Sequence, residues 1–590
     1  MSEIGSGRFS LSGFYERRAR RILPALFFVM MACLPFALMW MLPSEMKDFS
    51  RSIISVIFFS SNILFWREDS YFAANAELKP LLHTWSLSVE EQFYIIFPVF
   101  LIFVWRLGSR NVMLILSAVT LCSLALAEWG SGHKPTATFY LAPTRAWELL
   151  AGALCALLMA DKMRKPSNAL SAAGLAMIVF AVLAYDSSTP FPGLYTLVPV
   201  VGAALIILYA REGTWVARLL SMRAFVGIGL ISYSAYLWHQ PLFAFARLRS
   251  ITEPSHGLMA TLAVAVFLLA WGTWRWVEQP FRRSVHPVLA TRRRVFAASC
   301  VVGAAFVVVG VAGHAGWRLD GSAVGDVRLA DMEQRLVANH GLHSDCEGAQ
   351  SDSPNCSTSP APNVILWGDS FAMHLAQGIV ASEEGIALRQ HTMSVCAPVL
   401  GIAHVGPGYR EDRARRCIEF NARTLGWLRE REGVDLVILS SAFSQLLGNE
   451  LMIEDGRIIR GDDIDFVAGR IINTVRAIMD TGARVIIVSQ SPNSKYNIGR
   501  CLLLNERYRG DSERCNFSEL ANFRAFEMLR RVEGQAAIYW LNANICSNGV
   551  CDVMQDGVFI YRDSGHLSKE GSAYLGRRHD WMANFRREAF

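Results

Sequence analysis

Zinc-type ligand sets are missing from this chain of 590 residues. No Cys-x-x-Cys pair occurs and the 13 histidines do not cluster, so no metal site is expected. Charge is sparse, with Asp, Glu, Lys and Arg at 18%. No internal repeat is visible, which argues against a transporter built from repeated halves. The first 16 residues are polar and lack an apolar core, so no cleavable signal peptide is expected and the first span would do the targeting.

What is abundant is apolar sequence. Hydrophobic residues make up 52% and mean hydropathy is +0.27. The excess is confined to residues 22–312; residues 313–590 have the composition of a soluble domain. Ten apolar segments are expected at about 22–42, 51–66, 92–106, 111–128, 144–160, 168–185, 194–210, 226–244, 258–277 and 295–312. A helix needs ~20 residues to cross ~30 Å of hydrocarbon. The expected fold is a multi-pass α-helical membrane domain in a lipid bilayer, followed by a C-terminal α/β domain with a parallel sheet.

Basic residues set the orientation, because they gather in short cytoplasmic loops. The groups are Arg17, Arg18, Arg20 and Arg21; Arg106 and Arg110; Lys162, Arg164 and Lys165; Arg211, Arg218 and Arg223; and Arg282, Arg283, Arg292, Arg293 and Arg294. All can face inward only if 51–66, which holds Ser55, Ser60, Ser61 and Asn62, does not cross fully. Nine crossings then remain and the C-terminal domain emerges outside. The net charge of +6 is read as topology, not as nucleic-acid binding.

Cysteine placement gives a separate indication. Cys33, Cys122, Cys155 and Cys300 lie in apolar segments, whereas Cys346, Cys356, Cys396, Cys417, Cys501, Cys515, Cys546 and Cys551 all lie in the C-terminal domain. An even set in a soluble domain points to disulfides in an oxidising compartment. Neighbour pairing (346–356, 396–417, 501–515, 546–551) is one of about 105 connectivities.

Three polar clusters interrupt the apolar half: His83–Leu87 leading to Glu90–Tyr94, Arg145–Glu148, and Ser232–Pro241. Polar groups at membrane depth are costly and need partners or a role. The topology puts all three near the outer surface, where they could line one chamber. Arg18 and Arg21 belong to the cytoplasmic mouth, where paired guanidinia suit phosphate.

The soluble half supplies a candidate nucleophile. Residues 313–361 read as a linker between a membrane domain at 1–312 and a soluble domain at 362–590. The apolar strand Asn363–Trp367 ends in Gly368-Asp369-Ser370, followed by a helical pattern. A serine at a strand–helix turn is exposed near free backbone N–H groups. Asp563 and His566, three apart, can hold an imidazole in the tautomer that takes the serine proton. Buried strands at 435–440 and 485–489, with helices around 413–431 and 464–481, imply the parallel sheet. Together these motifs resemble the SGNH (GDSL-like) hydrolase superfamily. The Gly-x-Asn block of that superfamily is not found; Ser440–Ser444 stands in its place, the Ser370 N–H is one candidate oxyanion donor, and the second donor is left unassigned.

FYERRARRILPAL, LKPLLHTWSLSVEEQFY, RAWELLAG, SYSAYLWHQP and WVEQPFR then make the whole chain similar to acyltransferase family 3 proteins fused to a C-terminal SGNH domain. The resemblance implies a bacterial inner-membrane O-acetyltransferase for envelope polysaccharide such as lipopolysaccharide O-antigen or peptidoglycan. It implies cytoplasmic acyl-CoA as the donor substrate near Arg18 and Arg21, no bound cofactor, and transfer through Ser370, Asp563 and His566 in the periplasm. In the family about two spans precede the arginine motif and the first carries an essential histidine; this chain begins just before that motif. A membrane-anchored acetylesterase using the same site is the alternative.

Overall fold

The computed structural model describes residues 4, 8–68, 76–161, 165–186, 189–282, 288–316, 323–348, 353–406, 409, 411–508, 510–519 and 523–589. Lys162, Arg164 and Arg283 of the basic groups lie outside the described residues. The chain divides into two compact units, Met1–Gly321 and Ser322–Phe590.

The first unit is helical. Among the described residues, six helices are long and apolar enough to cross a bilayer: Leu11–Trp40, Thr84–Trp105, Ser109–His133, Pro135–Ala160, His256–Arg282 and Arg292–His314. Asn168–Ala184 and Leu194–Tyr209 are apolar but shorter, and Arg223–Arg249 is more polar. The nine-crossing expectation needs these three as well. The segment expected at 51–66 is broken into two helices, Pro43–Ile57 and Ser61–Glu68, by a turn at which Phe59 has φ of 50°. Its polar residues have partners. Ser61 Oγ lies 2.7 Å from Ser88 Oγ and accepts from Thr84 Oγ1 at 3.0 Å, and Asn62 Oδ1 accepts from Gln92 Nε2 at 2.9 Å. Small residues let helices touch: a Cβ on Gly174 would lie 2.6 Å from the Gly202 carbonyl, and one on Gly310 would lie 2.6 Å from Ile54.

The second unit is built on five parallel strands: β1 (Val364–Gly368), β2 (Leu388–Thr392), β3 (Leu436–Ser440), β4 (Arg484–Val488) and β5 (Ala537–Tyr539). Their order is β2-β1-β3-β4-β5, with Gly368 in register with Thr392 and Ser440. Every residue of β1 and β3 is buried, as expected of a sheet covered on both faces. One face carries Ile365, Trp367, Val437, Leu439, Val485 and Ile487 against helices Glu411–Arg429, Ile464–Met479 and Phe523–Val532.

The four disulfides are 346–356, 396–417, 501–515 and 546–551, the neighbour pairing. The stretch expected as a linker is largely folded. Residues 323–335 form a helix, and Arg335 donates to the Glu570 carboxylate at 2.7–3.0 Å. Residues 339–348 and 353–358 then lie along β2. Leu342 N–H donates to Gln390 Oε1, Gln390 Nε2 donates to the His340 carbonyl, and Thr358 N–H donates to the Leu388 carbonyl. An edge strand left bare would expose unpaired backbone groups, and this segment supplies them with partners.

Candidate active site

Ser370 follows the C-terminal end of β1. Gly368 has no room for a side chain, because a Cβ there would lie 1.8 Å from the Ser440 carbonyl. That close approach lets the chain turn directly from strand to helix at Asp369 and Ser370. Asp369 is buried and accepts from Phe371 N–H (2.8 Å), Ser441 Oγ (2.7 Å), Ala442 N–H (3.1 Å) and Gln445 Nε2 (2.9 Å). Burial raises its pKa, and these donors oppose the rise. The 441–445 segment, standing where a Gly-x-Asn block was sought, therefore ties down the turn that carries Ser370.

Asp563 and His566 come from the far end of the domain to meet that serine. Ser370 Oγ is 2.8 Å from His566 Nε2, and His566 Nδ1 is 2.9 Å from Asp563 Oδ2. Asp563 Oδ1 also accepts the N–H groups of Gly565 (3.0 Å) and His566 (2.8 Å), and Arg562 pairs with Oδ2 at 2.9 Å. Burial alone would raise the Asp563 pKa. The hydrogen bond and charge of His566, with Arg562 and the Gly565 N–H, hold it well below the ordinary carboxylate range. Phe371 lies 4.6 Å from the His566 ring, centroid to centroid.

Sequence reasoning missed the loop after β2. Met393 N–H donates to the Gly368 carbonyl at 3.0 Å, placing residues 393–395 beside the Ser370 turn. Val395 has φ of 56°, a strained conformation for a β-branched residue. Three devices hold it there. Glu347 accepts from both the N–H and Oγ of Ser394 at 2.9 Å, Arg413 donates to the Ser394 carbonyl at 2.7 Å, and Cys396 is bonded to Cys417. The positive φ carries no signature in sequence, where valine reads as strand.

His374, one turn beyond Ser370, was also missed. It is buried, and its Nδ1 accepts the N–H of Leu567 at 3.2 Å, next to His566. Burial lowers its pKa well below the ordinary histidine value.

In the helical unit, Arg18 and Arg21 line one cavity of about 500 Å³ together with Trp85, Ser86, Glu90, Arg145, Glu148, Ser232, Tyr233 and Tyr236. This corrects the expectation that the arginine motif and the three polar clusters occupy opposite mouths. The reason is pairing. Arg18 bonds Glu91, lies 3.2 Å from Glu90 and sits 3.7 Å over the Tyr94 ring, which draws the start of the first helix onto the first of these clusters. Arg145 pairs with Glu148 at 3.3 Å. Arg21 makes no hydrogen bond or ion pair among the described residues. His83 and His239 are in ring contact at 5.3 Å, behind Tyr236.

A Ser-His-Asp chain at the C-terminal edge of a parallel sheet, on a polypeptide rich in apolar helices, defines a multi-pass membrane protein with a serine-hydrolase-type domain. Residues 4–275 match an acyltransferase domain, and residues 343–580 match the SGNH domain found fused to AT3 domains. The putative membrane-bound transacylase BcsY of Komagataeibacter xylinus is 31% identical over 269 residues, covering 45% of this chain and 68% of that protein. The peptidoglycan O-acetyltransferase OatA of Listeria monocytogenes is 29% identical over 294 residues, 46% of this chain and 47% of that protein. The periplasmic domain of a Salmonella ser. Paratyphi A lipopolysaccharide acetyltransferase aligns at 15% identity and TM-score 0.32, covering 45% of this chain and 98% of that structure. This chain belongs to the acyltransferase family whose membrane domain is fused to an SGNH domain. It spans about half the length of the peptidoglycan O-acetyltransferases that it matches.

Proposed function

We propose that the protein is an O-acyltransferase that passes an acyl group, acetyl in the first instance, from cytoplasmic acyl-CoA to a hydroxyl of an envelope polysaccharide outside the inner membrane. The observation that carries this reading is the hydrogen-bonded chain Ser370–His566–Asp563 on the same polypeptide as an arginine-lined cavity in the helical unit.

His566 Nε2 takes the Ser370 proton as Oγ attacks the acyl carbonyl. Asp563, ionised and bonded to Nδ1, holds the imidazole in the required tautomer. The oxyanion is received by the N–H of Ser370 and that of Val395. Both follow the C-terminal ends of neighbouring strands, and neither forms a backbone hydrogen bond among the described residues. The leaving group departs with the proton from His566. A sugar hydroxyl then gives its proton to His566, attacks the acyl-serine and releases Ser370.

On the donor side, Arg21 supports phosphate recognition because its guanidinium lines the cavity without a hydrogen bond or ion pair among the described residues, while Arg18 is already held by Glu90 and Glu91. The names of the relatives support peptidoglycan or another envelope polysaccharide as the acceptor.

The test is Ser370→Ala in the full chain, with base-labile acetate on the purified envelope polysaccharide as readout. Acetylation should fall to the level of a strain lacking the protein. Unchanged acetylation would remove Ser370 from the reaction.

A further inference from the structure

The loop after β4 carries a side chain that neither the triad nor the oxyanion donors use. Ser491 Oγ donates to the Gly565 carbonyl, and Ser494 N–H donates to the Ser564 carbonyl at 2.7 Å. Asn493 lies between these two anchors, so its backbone is held against the Asp563–His566 turn. The fit is close at Gly565, where a Cβ would lie 2.1 Å from Asn493 Oδ1 and 3.4 Å from the Phe371 ring. Gly565 precedes His566, and Phe371 follows Ser370. The Asn493 amide therefore stands beside both arms of the triad.

That amide has no hydrogen bond among the described residues. Oδ1 is buried without a partner, Nδ2 forms none, and the residue as a whole is half-buried. An amide nitrogen and oxygen can exchange places by a flip, so either end can be the one turned outward. The buried end packs against Gly565, so the end turned outward, Nδ2 as placed, is the one a ligand can reach, and on a firmly held loop beside reacting groups it is a ready contact for one.

We propose that the Asn493 amide binds the acceptor sugar beside His566 and so directs the acyl group on Ser370 to a sugar hydroxyl instead of water. The proposal rests on the reading that Ser370 becomes acylated. In the second half-reaction the acceptor oxygen must lie within hydrogen-bond reach of His566 Nε2 to surrender its proton. It then bonds to the acyl carbon, the bond from that carbon to Ser370 Oγ breaks, and Oγ recovers the proton from His566. Water can follow the same path and yields a free carboxylic acid. What distinguishes a sugar is its remaining hydroxyl and amide groups. The outward end of the carboxamide can bond one of these groups while another hydroxyl of the same sugar sits at His566, a two-point hold that a single water molecule cannot make.

Two activities of the full-length protein in membranes of its own host separate the possibilities. One is hydrolysis of p-nitrophenyl acetate, which needs acylation and attack by water. The other is ester-linked acetate on the envelope polysaccharide, which needs the sugar. Asn493→Leu is expected to lower transfer by at least about tenfold while hydrolysis stays within about twofold. Asn493→Asp, which keeps an acceptor oxygen in the same shape, is expected to retain an intermediate level of transfer. A parallel fall of both activities in both variants, or no change in either, would overturn the assignment. Undiminished transfer in Ser370→Ala would instead overturn the reading beneath it.

Discussion

Asp563 and His391 show how single ionisable groups couple this domain to pH. Asp563 has a depressed pKa, so its stabilising contribution is present above the unfolded value of about 3.9 and is lost only as pH falls through the lower folded value. His391 is buried, and burial, aided by Arg389 and Arg431, pushes its pKa down to about 3. Unfolded, it would titrate near about 6.5. Between these values the unfolded chain binds a proton that the folded domain refuses, so stability falls as pH drops from about 6.5 towards 3. His374 acts in the same direction. The melting midpoint of the C-terminal unit within the full chain should therefore decline from pH 7 to pH 4. Each such histidine adds at most about 1.4 kcal/mol per pH unit. His391→Gln should make that decline shallower; an unaltered slope would mean that this imidazole is not its source.

At the scale of elements, the loop after β2 depends on a segment whose composition concealed it. Residues 339–358 are rich in Gly, Ser, Asp and Asn, which reads as linker, yet Glu347 from that segment clamps Ser394 and thereby the strained Val395. Glu347→Ala should let Val395 relax. We expect kcat to drop by about 10- to 100-fold with KM little changed, because an oxyanion donor acts in the transition state alone. A rise in KM at constant kcat would show that the loop serves binding instead. Local patterns were readable in advance: the apolar strand running into Gly368-Asp369-Ser370, the Asp563–His566 spacing, and the presence of disulfides in the second unit, though not which cysteines pair. Features made by distant partners were not. The break at Phe58–Ser60 depends on Ser88 and Gln92, and the shared cavity depends on Arg18 finding Glu90 and Glu91 more than 70 residues away. The strained backbone of Val395 is likewise imposed by Glu347, Arg413 and a disulfide, none adjacent to it in sequence except Cys396.

For the whole molecule, the proposed reaction requires donor and acceptor on opposite sides of one membrane, and two unrelated features support that proposal. The basic groups flanking the apolar helices favour the cytoplasm, by the bias that orients short loops. Cysteine chemistry divides the same way: Cys33, Cys122, Cys155 and Cys300 are unpaired in the helical unit, while all eight cysteines of the second unit are bridged. Such bridges are favoured in an oxidising compartment and rare in the cytosol, and each adds about 2–3 kcal/mol by closing a short loop in the unfolded chain. A cytoplasmic second unit would lose both that stability and its access to envelope sugars. Alkaline phosphatase joined after Phe590 should therefore be active and a fluorescent protein at the same junction dark. The reverse pattern would place the Ser370 site among cytoplasmic thiols and acyl-CoA, where the second half-reaction has no polysaccharide to acylate.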